Sequence, residues 1–139
     1  MRWITRPRPH IDRTACAWLI RRFVDQQPEF LFAADAEAAA QLGGTPFDMR
    51  GVELGHHQGR CSFEAFLERY QISDPALREI AAIVRDADLD EGPHRTPEAH
   101  GLDAVIRGLG LTIEDDLELL RVTDRIFDGL YVWAGRLVR

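Results

Sequence analysis

The sequence predicts an α/β fold in a single domain over residues 1–139: a small mixed sheet of about four strands in the first half, packed with helices, then a mainly helical second half. Three observations carry this. Short β-branched and aromatic runs punctuated by Pro and Gly occupy the chain up to His56, helix-start signals recur from Ser62 onward, and no repeat, low-complexity tract or long linker divides the two. With 139 residues, 45% hydrophobic and 29% charged, the chain can bury roughly 68% of its extended surface in one core. That composition excludes a disordered tail, a collagen-like repeat and a disulfide-dense mini-protein.

Arg2–Thr5, aromatic and β-branched in part and closed by Pro7 and Pro9, is read as the opening strand. A helix follows with Asp12 as N-cap and Ala15, Cys16, Leu19, Ile20 and Phe23 on one apolar arc. Residues 29–33 are a second strand, Ala36–Leu42 a short helix stopped by Gly43-Gly44, and residues 45–49 and 52–56 two further strands. Ser62 caps a helix reaching Tyr70, and Asp74-Pro75 starts one that ends between Asp86 and Asp90. Thr96-Pro97 repeats the start signal. Beyond Gly108-Leu109-Gly110, Thr112 and Asp115 form a capping-box pattern for a last helix through Trp133. The loop over residues 90–96 is expected to be the most mobile segment.

The longest stretch without charge, residues 38–47, contains Gly-Gly and Pro and is too short to cross a bilayer. The opening MRWITRPRPH has arginine and proline where a secretory signal places an apolar run, so a cytoplasmic address is expected. Two spaced cysteines, Cys16 and Cys61, are then read as reduced thiols. All 17 basic side chains are arginine, which removes lysine Schiff-base and P-loop chemistry. Residues 1–22 carry six arginines against Asp12 alone, while the remainder is strongly acidic. With pI about 5.3 and no recognised motif, nucleic-acid binding is not expected of this domain. Self-association is compatible with the sequence but not required by it.

Four groups of residues carry candidate chemistry. Gly55-His56-His57-Gln58-Gly59 joins a predicted strand end to a helix start, where α/β sites form; it is either a metal or catalytic segment or a polar turn with a cap. Neighbouring histidines in an extended segment point to opposite sides, so one of the two faces any given site. Asp86, Asp88, Asp90 and Glu91 crowd a helix end that already disfavours negative charge. Asp86 and Asp88 lie about 160° apart on a continuous helix, so both serve one cation only if the helix ends between them; these acids are either solvated ahead of a loop or lend a carboxylate, Asp86 preferred, to a site. Asp124 and Asp128 fall on the apolar stripe of the last helix and read as ion pairs to Arg13 or Arg22, or as cation ligands. Cys16 beside Arg13 is a thiol of lowered pKa or, among apolar neighbours, an inert one.

Ile11-Asp12-Arg13, Ala15-Cys16, residues 18–23, Pro46-Phe47-Asp48, Gly51-Val52-Glu53-Leu54-Gly55-His56, Cys61-Ser62-Phe63-Glu64, Ile83-Val84-Arg85, Ala87-Asp88 and Asp128-Gly129-Leu130-Tyr131 resemble the ChrB-type chromate-resistance domain over nearly the whole chain. The resemblance implies a bacterial cytoplasmic protein that senses or responds to chromate beside a chromate exporter. A fainter likeness links His10-Ile11-Asp12-Arg13-Thr14-Ala15, Gly55-His56-His57-Gln58 and Asp86-Ala87-Asp88 to DHH-type phosphoesterases, with Gly55 in the place of the first acid of Asp-His-His. That likeness implies a Mn-type cation and phosphoester hydrolysis as the alternative function. Together these readings expect a divalent cation (Mn, Zn or similar) held by Asp12, His56, Asp86 and Asp128. Arg13 and His57 are then left for chromate or another small oxyanion, with Cys16 and Cys61 as redox candidates.

Overall fold

The computed structural model describes residues 1–89 and 96–138; the loop expected to be mobile, together with Asp90 and Glu91, lies outside the described residues apart from Thr96. Strand β1 (Arg2–Thr5) is central, with β2 (Glu29–Phe32) on one side and β3 (Thr45–Pro46) on the other, all parallel. Helices α1 (Ile11–Leu19), α2 (Ala36–Leu42), α3 (Ser62–Arg69), α4 (Pro75–Leu89), α5 (Glu98–Thr112) and α6 (Asp116–Leu137) complete the chain. Mixed α/β architecture with a helical second half is as expected, but the described sheet has three parallel strands rather than about four in a mixed arrangement.

The missing strand has a local cause. Asp48 takes a left-handed φ of 50° and Gly51 one of 80°, and the Asp48 N–H donates to the Leu54 carbonyl at 2.8 Å, so residues 48–56 double back as successive turns. Alternation along β1 sends Trp3 and Ile4 to opposite faces, and the register sets Trp3 beside Phe30 and Ile4 beside Leu31. Trp3, Phe30 and Phe47 join the main core with α1 and α3; Ile4 packs with Ala39 of α2, Met49 and Val52 in a smaller one.

Helix α1 is the hub, in contact with α3, α4, α5 and α6, and every residue of Ile11–Leu19 is buried. The single apolar arc read from the sequence understates this, because the polar residues of α1 are also taken inside by partners described below. His10, not Asp12, occupies the N-cap position, and its side chain makes no cap bond. Past Leu19 the helix widens into one π turn, Ile20–Val24, closed by the Asp25 N–H on the Ile20 carbonyl at 2.7 Å.

Helix α2 has the expected ends, with Asp35 accepting from the Ala38 N–H at 2.9 Å and Gly43 left-handed at the C-cap. Asp74 accepts from the Ala76 N–H at 2.9 Å to start α4. Cys61 rather than Ser62 is the N-cap of α3, and Glu64 reaches back to the Cys61 N–H at 3.1 Å. Gly108 and Gly110 do not end α5, which continues to Thr112; the Thr112 hydroxyl donates back to Leu109 O and makes no capping box for α6, whose N-cap is Asp115.

Candidate metal centre

Parallel strands align their carboxyl ends, and here β1 leads through α1 to β2 while β2 leads through α2 to β3 across the sheet. The crevice between the carboxyl ends of β1 and β3 is therefore the point where strand order reverses, the usual ligand position in open α/β sheets. Asp12 lies on the helix that follows β1, and Asp48 stands two residues past β3. The folded-back turn after Asp48 brings His56 to the same place. That turn needs glycine at 55, where a Cβ would lie 2.7 Å from the Met49 carbonyl oxygen. Asp88 arrives from the last turn of α4.

These four side chains converge on one atom. His56 Nε2 lies 3.0 Å from Asp12 Oδ2, 3.4 Å from Asp48 Oδ1 and 3.1 Å from Asp88 Oδ2. Asp12 is 1% exposed, whereas the His56 ring is 45% exposed, so the cluster is rooted in the core and open to solvent at the imidazole. Asp12 also accepts from the N–H groups of Ser62 (2.7 Å) and Phe63 (3.0 Å), the first two helical residues of α3, which have no partner within their own helix. Ser62 ties the two buried acids together, its hydroxyl donating to Asp48 Oδ1 at 2.6 Å. Arg13 completes the Asp48 shell, with Nε 2.9 Å from Oδ2 and a further bond to the Asp48 carbonyl.

Burial pushes the Asp12 carboxyl up to about 6; the His56 bond opposes this, and the charges of Asp48 and Asp88 add to it. Burial acts upward on Asp48 too, but His56, the Arg13 charge and the Ser62 hydroxyl outweigh it and hold that carboxyl below its usual range. Hydrogen bonds to Asp12, Asp48 and Asp88 push the His56 imidazolium up to about 12.

One ring nitrogen carries at most one hydrogen and satisfies one of these three acids fully. Carboxylate oxygens and imidazole nitrogen bind Mn- and Zn-type cations at roughly 2.0–2.2 Å, which sets adjacent donors around 3 Å apart in octahedral geometry. Donor atoms of Asp12, Asp48 and His56 all lie within 4.8 Å of one another, so the residues present fit such an ion. They offer oxygen and nitrogen only. Cys16 and Cys61 are both buried, and burial first, then the neighbouring Asp12 charge, pushes each thiol well above its ordinary value. Neither is in the exposed, thiolate-favouring setting that redox cysteines use.

Of the residues singled out from sequence, Asp12 and His56 meet. Asp86 does not join them: its carboxylate accepts from the Thr96 N–H and hydroxyl at 2.9 and 2.8 Å, and because α4 runs unbroken through Leu89 the acid that faces His56 is Asp88. Asp128 is also elsewhere, accepting from Trp18 Nε1 at 3.0 Å and Arg22 at 3.1 Å. Asp124 pairs with Arg21 rather than Arg13 or Arg22. Arg13 does reach the cluster, but its guanidinium is taken up by the Asp48 carboxylate and carbonyl and by Pro7 O, while His57 turns away to the Glu53 carbonyl at 2.8 Å. Asp48 was missed. Its signal was positional: an acid directly after a strand that ends beside β1.

The family model for the C-terminal domain of ChrB matches residues 3–134. Protein ChrB of Cupriavidus metallidurans is 34% identical over 132 residues, which cover 93% of this chain and 39% of the length of that relative. No solved structure matches the chain.

Proposed function

We propose, from the premise that the chain belongs to the family of ChrB C-terminal domains, that it serves chromate resistance as a domain in which Asp12, Asp48, His56 and Asp88 hold a divalent cation facing chromate or another small oxyanion. The observation that carries this reading is the placement of three carboxylates within 3.4 Å of a single imidazole nitrogen, two of them buried. The three acids carry one charge more than the His56 imidazolium and Arg13 offset, and a divalent ion that takes the place of the His56 Nε2 proton, released to water, would relieve them. A bound cation supplies a Lewis-acidic point that attracts oxyanion or water oxygen. The chain's own residues hold the donors in place: Ser62 fixes both buried acids, Arg13 orients Asp48, and the α3 N–H groups orient Asp12. No described helix is long and apolar enough to cross a membrane, which suits a site reached from water.

The test is elemental analysis of protein purified without added chelator or metal. Asp88→Asn is expected to lose bound metal, whereas Asp86→Asn and Asp128→Asn retain it. Equal metal in all three variants, or none in the parent chain after Mn²⁺ or Zn²⁺ titration, overturns the reading. Chromate is expected to raise the melting temperature of the metal-loaded chain more than sulfate does.

A second reading, metal-dependent phosphoester hydrolysis, is favoured by the half-exposed His56, which leaves the cluster open to water. It predicts Mn²⁺-dependent cleavage of bis(p-nitrophenyl) phosphate that Asp12→Asn abolishes. A rate no higher than that of free Mn²⁺ rejects it.

A further inference from the structure

A cavity of about 440 Å³ lies between the segment that leads into α1 and the α5–α6 corner. Ile106 and Leu119, each 1% exposed, form its deep part, and Leu111, 87% exposed, stands at its rim. Arg8, His10 and Arg107 line the same space, with Glu114 as the acid among them. Among the described residues neither the Arg8 guanidinium nor the His10 ring makes an ion pair or side-chain hydrogen bond, and Arg107 keeps Asp103 at 2.9 Å as its partner. Arg8 is held with a left-handed φ of 59°, unusual for a long side chain, while its N–H donates to Asp116 at the start of α6. The loop is thus anchored to the rim of the cavity by its backbone, leaving the guanidinium uncommitted.

We infer that this cavity is a binding site for an organic phosphate, with the phosphate held by Arg8, His10 and Arg107 and an apolar body seated on Ile106 and Leu119. The chemistry follows from the lining. Guanidinium forks and imidazole recognise phosphate oxygens by charged hydrogen bonds, and of the lining residues two are arginines and one, Glu114, an acid, with Asp103 already on Arg107 and Asp116 on the Arg8 backbone, so the Arg8 guanidinium is the cation left for an anion. The volume falls in the range of small-molecule pockets, far above the space a bare tetrahedral oxyanion fills, and the buried aliphatic floor gives an inorganic ion nothing to bind. Arg107 is near enough to Asp88 for their charges to interact, so the cavity borders the acidic cluster while sharing none of its four residues. The inference stands whether or not that cluster holds a cation.

The experiment is isothermal titration of the full chain, in EDTA and again with Mn²⁺, using 1-naphthyl phosphate, 1-naphthol, inorganic phosphate and chromate as probes. In EDTA, 1-naphthyl phosphate is expected to bind at least about tenfold more tightly than any of the other three, since only it makes both charged hydrogen bonds and apolar contact. Arg8→Gln and Arg107→Gln, both exposed changes, are each expected to weaken it about tenfold or more, while Arg136→Gln at the far end of α6 leaves it unchanged. Naphthyl phosphate binding no tighter than naphthol, phosphate or chromate, or equal in parent, Arg8→Gln and Arg107→Gln, overturns the site. An effect seen only with Mn²⁺ also overturns it, by assigning the anion to the cation centre. Metal content measured separately keeps the two proposals distinguishable.

Discussion

At the seam between α1, with its π turn, and α6, each acid meets its own guanidinium: Arg21 pairs with Asp124, and Arg22 pairs with Asp128 at 3.1 Å while Trp18 also donates to Asp128. At the carboxyl ends of β1 and β3 the ratio breaks down: among the described residues, the cations in direct contact with Asp12, Asp48 and Asp88 are His56 and Arg13. Both regions bury at least one acid, Asp124 at the seam and Asp12 and Asp48 at the strand ends, and both lie on α1. The seam is balanced within the chain, as a structural ion pair is. The strand-end cluster carries more negative charge than its directly bonded described neighbours offset, the pattern expected of a site completed from outside.

The comparison predicts unequal consequences of removing an acid. Asp12→Ala is expected to have the largest effect, costing about 3 kcal/mol or more, because it leaves two buried N–H groups of α3 without their acceptor and takes from His56 its most deeply buried partner; urea unfolding measures it. A cost no greater than that of a seam variant would erase the distinction. Second in size is the response to Mn²⁺ or Zn²⁺: saturation at a hundredfold excess over Kd is expected to add about 2.7 kcal/mol, seen as a raised melting temperature in the parent and in Asp124→Asn but absent in Asp48→Asn.

A smaller effect concerns pH. Burial pushes the Asp124 carboxyl up to about 6, with the Arg21 charge opposing it and that of Asp128 adding to it, and its Oδ1 has no hydrogen-bond partner among the described residues. The ordinary value is 3.8, so the native chain holds this proton more tightly than the unfolded chain, and the Asp124 contribution to stability falls as pH rises from about 4 through 6. Asp124→Asn removes that dependence. The stability difference between variant and parent is expected to move in the variant's favour between pH 4 and pH 7, and a flat difference contradicts the assignment. The smallest change is expected for Arg22→Gln, below about 0.5 kcal/mol, since this pair is largely exposed and Asp128 keeps Trp18.

The short helix Ala36–Leu42, the start at Asp74-Pro75 and the strand Arg2–Thr5 were legible because each depends on chemistry within a few residues. So was the geometric rule that Asp86 and Asp88 cannot share one site on an unbroken helix. What sequence could not choose was which of the two turns inward, because that depends on how α4 is rotated against α1 and α6. Asp12 reads locally as a cap for its own helix, yet it caps α3, fifty residues away; only tertiary contact decides that. The fourth strand failed for a similar reason, since residues 52–56 have strand-like composition but are pulled into turns by Asp48 and Gly51.

Gly55 limits which donors this bend carries. An aspartate there would set an acid ahead of the two histidines, but its Cβ would meet the Met49 carbonyl and open the turn that delivers His56. Placing an acid at 55 therefore costs the histidine beside it its position, and the two donors exclude each other on this bend.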